Sequence, residues 1–224
     1  DADYNVAVGM NALTADTLGS RSVAIGRNTL VTQNFTTATD TYNTAVGFAA
    51  GTAVTTGTEN TLIGGLAGDA LTAAFENVAI GYEAQTTDTL GRRTVAVGNG
   101  ALQSQNFTTA TNSYNTAVGY DAGTAVSTGT NNTIIGGLAG DALTTGHDNV
   151  AIGISALSTE DTGSETVAIG RSALFTQNAG AVDTYNVAVG AAAGRLVTTG
   201  VQNTIIGGLA GDALNIGEKN VTLG

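Results

Sequence analysis

The sequence predicts an all-β fold, a parallel β-solenoid (β-roll) of about 13 rungs, and three observations predict it. A five-residue phrase ending in glycine recurs thirteen times, as at residues 5–9 (NVAVG), 77–81 (NVAIG) and 132–136 (NTIIG). Its glycines follow a 17-residue repeat, as at Gly64, Gly81 and Gly98, with a longer step at every fourth rung, from Gly26 to Gly47, Gly98 to Gly119 and Gly170 to Gly190. A 72-residue superrepeat of four rungs therefore overlies the basic one. The phrase itself is built from β-branched residues and alanine and carries no charge. A repeat this regular predicts one quasi-one-dimensional array over 1–224, in which each rung contacts only its neighbours.

Counting back from each repeat glycine, position −4 is Asn in ten rungs and Ser22, Thr94 or Thr166 in the others. The pairs Asn5 and Gly9, Asn43 and Gly47, Asn60 and Gly64, Asn77 and Gly81, Asn115 and Gly119, Asn132 and Gly136, and Asn149 and Gly153 bracket the strands. Positions −3 (Val or Thr) and −1 (Val, Ile or Leu) share one side of a strand, because side chains alternate with period two. Position −2 is Ala except at Leu62, Ile134, Ile205 and Thr222, so both faces of the strand lack charge, as in a covered parallel sheet. One face fills the rung's interior. The other requires a second surface, and the expectation is that sister chains cover an alanine-lined face in a homotrimer.

After the glycine, the Ala at +3 predicts a second short strand, with the glycine as the turn residue of each rung. Where −2 enlarges to Leu62, Ile134 or Ile205, the next residue after the repeat glycine is Gly65, Gly137 or Gly208, read as compensation of volume. The asparagines at −4 predict an amide ladder along the axis.

The longest loops are 33–42 (QNFTTATDTY), 105–114 (QNFTTATNSY) and 177–185 (QNAGAVDTY). Loops on a rigid scaffold are where recognition concentrates. Gln33, Asn34, Phe35, Tyr42, Gln105, Asn106, Phe107, Tyr114, Gln177, Asn178 and Tyr185 are therefore candidate glycan contacts, with Phe35 and Phe107 also readable as staples that hold the loop to the roll.

No residue is read as catalytic, metal-binding or cofactor-binding, and the chain is not read as an enzyme. It has no phosphate-binding glycine loop, nucleophile elbow or metal-spaced His and Cys. His147, the one histidine, corresponds to Phe75 and Glu218 in the other superrepeats and reads as a variable loop position. Glu160 and Asp161 read as loop acids pointing apart. The GGLAGD segments at 64–69, 136–141 and 207–212 miss the spacing of a glycine-aspartate calcium repeat. Seven basic against 18 acidic residues, a net charge of −11, excludes phosphate-led binding of nucleic acid. No apolar run is long enough for a membrane helix, and without cysteine there is no disulfide framework.

Residues 149–157 (NVAIGISAL), 166–174 (TVAIGRSAL) and 22–30 (SVAIGRNTL) resemble the head repeats of trimeric autotransporter adhesins. The phrases beginning at Asn43 (NTAVGF) and Asn115 (NTAVGY) are similar to shaft repeats of bacteriophage tail fibres. The resemblance implies a left-handed roll assembled as a homotrimer, extracellular on a bacterial surface or a virion. It implies a structural stalk that holds a receptor-binding region facing a host-cell glycan or protein. Without evident caps, the chain is expected to be an excerpt of a longer fibre or a unit stacking end to end. The alternatives are a glycan-binding solenoid that uses the long loops and an ice-binding solenoid.

Overall fold

A computed structural model describes residues 2–224. The chain is an all-β parallel solenoid of about thirteen turns with 17-residue spacing, and among the described residues every regular element is a strand. It divides into two compact units, one running to Tyr114 and one from Asn115 onward. In the first, Val6–Val8, Val23–Ile25, Thr44–Val46, Thr61–Ile63, Val78–Ile80 and Val95–Val97 pair in chain order, all parallel. In the second, Thr116–Val118, Thr133–Ile135, Val150–Ile152, Val167–Ile169, Val187–Val189, Thr204–Ile206 and Val221–Leu223 do the same.

Register follows the repeat position, not the residue count. Val23 pairs with Thr44 across a long rung just as Thr44 pairs with Thr61 across a short one. The extra residues leave the strand ladder intact because they loop out between strands. Part of each longer loop pairs with the rung before it, as Thr39–Asp40 does with Gly19–Ser20 and Thr111–Asn112 with Gly91–Arg92.

The alanine row at −2 faces inward and is fully buried from Ala24 to Ala188, so alanine forms the core and the β-branched rows face out. This reverses the expectation of an outward alanine face. Leu62, Ile134 and Ile205 stand in the same row and are equally buried, so the interior takes a larger side chain where a neighbouring position is small.

The segment after each glycine is a tight turn and not the second strand expected. The alanine N–H at +3 donates back to the glycine carbonyl, as Ala139 does to Gly136 at 3.2 Å. The residue between, at +2, takes a positive φ, as do Asn28 (58°) and Ala49 (56°), the conformation a type II turn requires. A further positive φ follows at +4, where Leu30 (47°) and Leu102 (49°) turn their side chains into the core. Leucine in this region costs roughly 1 kcal/mol per residue, offset here by complete burial of the side chain.

The volume compensation is real but sits at +4 and not in the second glycine of the GG pairs. A Cβ added at Gly68 would lie 2.7 Å from Leu62 Cδ2, and one at Gly51 in the rung before would lie 2.7 Å from Leu62 Cδ1. Leu62 therefore fills space that Leu30 and Leu102 fill where −2 is Ala. Gly137 and Gly208 have only a carbonyl oxygen 3.9 Å away, and Gly65 faces the Tyr82 ring at 3.4 Å.

Candidate functional site

The asparagine row bonds mainly to backbone, which corrects the expected ladder of amide to amide. Asn132 Nδ2 donates to the carbonyl of Gly146 at 2.9 Å, and its Oδ1 accepts the backbone N–H of Asn149, the same position one rung on, at 3.1 Å. Asn43, Asn149, Asn186 and Asn203 repeat both contacts. Amide-to-amide bonds supplement them at Asn60, Asn77 and Asn220. Each side chain thus closes its own turn and fixes the next rung.

The three rungs with Ser or Thr at −4 are where a glutamine from the long loop enters the core. Gln33, Gln105 and Gln177 are completely buried. Gln33 Nε2 donates to Asp16 Oδ2 (2.6 Å) and Ser22 Oγ (2.8 Å), and Ser22 Oγ meets Thr41 Oγ1 at 2.5 Å. Gln105 repeats this with Asp88 and Thr94, and Gln177 with Glu160 and Thr166. An asparagine at −4 would occupy the space that the shorter hydroxyl leaves open.

Asp88 and Glu160 are fully buried carboxylates. Asp88 accepts the backbone N–H groups of Gly91 and Phe107, each at 3.0 Å, together with Gln85 and Gln105 Nε2. Glu160 accepts Gly163 and Ala179 N–H and Gln177 Nε2. A buried carboxylate held only by N–H donors is a structural knot that pins the long loop. From the sequence Glu160 reads as a loop acid beside Asp161 and Asp88 carries no role, whereas both are buried. Their signal is an acid one rung before each buried glutamine: Asp16 before Gln33, Asp88 before Gln105 and Glu160 before Gln177.

The loops consequently offer less to a ligand than expected. The three glutamines are inside, and Phe35 and Phe107 are buried, so they act as staples. Asn34 and Asn178 are exposed and Asn106 is half-buried. Asn34 and Asn106 accept hydrogen bonds from Thr17 and Thr89. Tyr42, Tyr114 and Tyr185 are each just over half exposed. They stand at −5, all with φ of about 50°. Arg21 lies over the Tyr42 ring at 5.8 Å, Arg93 Nη1 donates to Tyr114 Oη at 3.0 Å, and Tyr185 Oη donates to Asp183 at 3.3 Å.

The larger feature is the outward face of the rung strands. The rows at −3 and −1 remain partly open, with Ile25, Ile63, Ile135 and Ile206 between 37% and 43% exposed. Beside them, at +1, Met10, Phe48, Tyr82, Tyr120 and Ile154 are more than half exposed. The −1 row keeps an apolar side chain on every rung, whereas at +1 the large apolar groups alternate with residues such as Arg27, Gly65, Asn99 and Arg171. No helix among the described residues is long and apolar enough to cross a membrane, and no three His, Cys, Asp or Glu side chains among them converge.

Compared with family models, characterised proteins and solved structures, the chain matches none of them.

Proposed function

We propose that this chain is a structural segment of a fibre or stalk, a left-handed roll assembled as a homotrimer on a bacterial surface or a virion. In this reading it holds or presents a receptor-binding region and carries out no catalysis. The observation that carries the proposal is the outward face of the strands. Its β-branched rows, with Phe48, Tyr82 and Tyr120 beside them, stay open although the interior rows are sealed. Burying apolar surface contributes about 25 cal/mol per Å². A stripe repeated on every rung makes that gain grow with the length of the stack.

A solenoid is suited to a spacer, since rungs added by duplication extend the array without altering its cross-section. The four-rung superrepeat is what such duplication leaves. The number of chains comes from the resemblance to adhesin heads and fibre shafts. Light scattering on the native protein tests the reading: a mass three times 22.1 kDa supports it, and a stable 22.1 kDa particle overturns it.

A second reading, glycan recognition by the long loops, rests on Tyr42, Tyr114 and Tyr185, which recur at the same rung position and remain exposed. A glycan array distinguishes the two: binding that disappears when the three tyrosines become alanine favours recognition, and absence of binding leaves the structural role.

A further inference from the structure

In the second unit the surface is broken by a notch of about 190 Å³ lined by Thr145, His147, Thr162, Ser164, Ala181, Val182 and Asp183. The superrepeat explains its origin. The positions one superrepeat earlier than His147, Thr162 and Ser164 are Phe75, Leu90 and Arg92. There the Arg92 guanidinium stacks on the Phe75 ring at 4.2 Å. In the notch the stack has been replaced by an imidazole and two small hydroxyl residues, and its volume is empty.

The other superrepeats show what this place holds. Asp183 bridges to Ser164 in the same register in which Asp40 pairs with Ser20, so Asp183 and Asp40 are equivalent. Asp40 is engaged by a guanidinium, with Arg21 Nε 2.9 Å from its Oδ1. The equivalent of Arg21 is Arg93 in one superrepeat and Glu165 in the other. Each of the first two copies thus keeps an arginine of the chain here, against a carboxylate or on an aromatic face. The first copy has one arginine and the carboxylate, and the second has two arginines with Asn112 in the carboxylate's place. The third has the carboxylate of Asp183, with Ser164 and Glu165 where the second has its arginines. Beside the notch, the Tyr185 hydroxyl is held above its ordinary pKa by the charge of Asp183 first, then by burial and its hydrogen bond to Asp183, and by Glu165. In the lining, His147 Nδ1 lies 2.8 Å from Asp148 Oδ2.

We infer that this notch is a binding site for a guanidinium group, that of an arginine side chain presented by another polypeptide. The carboxylate of Asp183 pairs with it, the hydroxyls of Thr145, Thr162 and Ser164 accept its remaining N–H groups, and Ala181 and Val182 flank its methylene stem. A planar fork of donors suits such a ring of acceptors better than the point charge of lysine does. The inference stands on the notch alone and does not depend on the proposed fibre role.

The test is a titration of the native protein with N-acetylarginine methylamide, followed by amide chemical shifts. Saturable shifts at Thr145, His147, Ser164 and Val182, with a Kd of about 1–10 mM, are expected, with the lysine analogue several-fold weaker. Two variants separate a site from general charge attraction. Asp183→Asn removes the carboxylate, and His147→Phe with Ser164→Arg restores the stack of Phe75 and Arg92; each should weaken binding at least tenfold while the other amides keep their positions. Absence of saturation, equal response to arginine and lysine analogues, or unchanged affinity in Asp183→Asn would overturn the inference.

Discussion

Asn43 Nδ2 donates to Gln33 Oε1 at 2.8 Å, both side chains buried, and so joins the asparagine row of the rungs to the long loop that precedes it. Asn186 and Gln177 repeat the pair at the same distance. A loop tied down in this way is part of the roll, and its glutamine belongs to the core and not to a recognition surface.

Replacing Gln105 by leucine therefore tests stability rather than binding. The substitution removes a donor from the buried Asp88 carboxylate (2.6 Å) and from Thr94 Oγ1 (3.1 Å), neither of which water can reach. Asp88 keeps the Gly91 and Phe107 N–H groups and Gln85 as donors, and Thr94 keeps Ser113. What is lost is one buried hydrogen bond to a charged group and one to a hydroxyl, about 2–4 kcal/mol together and more than the added apolar contact returns. Urea denaturation should show that loss for Gln105→Leu, while Asn106→Ala stays within about 0.5 kcal/mol. Equal effects would mean that the loop is held by other contacts.

The repeat glycines make a sharper contrast with their neighbours. Gly64 has φ of +136°, and an added Cβ would meet the carbonyl of Gly81, with its carbon 2.6 Å away. Backbone clash and strain together make Gly64→Ala cost about 3–5 kcal/mol. Gly137 has ordinary backbone and nothing nearer than the Tyr120 carbonyl oxygen at 3.9 Å, so Gly137→Ala should be close to neutral, within about 0.5 kcal/mol. Thermal melts of the two variants check both expectations.

The stacking was legible in the sequence because the strands repeat at fixed positions, and the parallel register of Val23 on Thr44 follows from them. The direction of the faces was not. Ala at −2 and Val at −3 are both compatible with burial, and only the closure of the turn, with Leu30 and Leu102 at positive φ, decides which side is inside. The exceptions at −4 carried the missing information about the loops. Ser22, Thr94 and Thr166 are each followed by a glutamine at the same offset, and reading that covariation would have placed Gln33, Gln105 and Gln177 in the core. The acids Asp88 and Glu160 were hidden because a carboxylate in a glycine-rich loop ordinarily points to water.

Asp69 gives a pH-dependent expectation. Its carboxyl is raised above its ordinary value of 3.8, chiefly by burial, with the Thr86 hydroxyl opposing and the Glu83 charge adding to the rise. Because the folded form holds this proton more tightly than the unfolded form, the contribution is present below pH 3.8 and is lost as pH rises through the raised value. Relative to Asp69→Asn, the native protein should therefore lose stability over that window and run parallel to the variant above it. Paired urea titrations across pH 3 to 7, a range of about four units that brackets the carboxylates, measure the difference, and a flat difference would contradict it.

The outward face is tested by two adjacent isoleucines that point in opposite directions. Ile134 is fully buried in the roll, and Ile135 stands 38% exposed on the outer side of the same strand. If sister chains cover that side, Ile135→Lys places a charge in the interface without disturbing the interior, and the particle should fall to the 22.1 kDa chain with its strand content retained. Ile134→Lys puts the same charge inside the roll, where an unpaired ammonium costs several kcal/mol, and the rung should unfold. Light scattering with circular dichroism reads both. A folded Ile135→Lys protein that keeps a threefold mass would move the contact off this face, to the row of Phe48, Tyr82 and Tyr120, where Tyr82→Lys repeats the test.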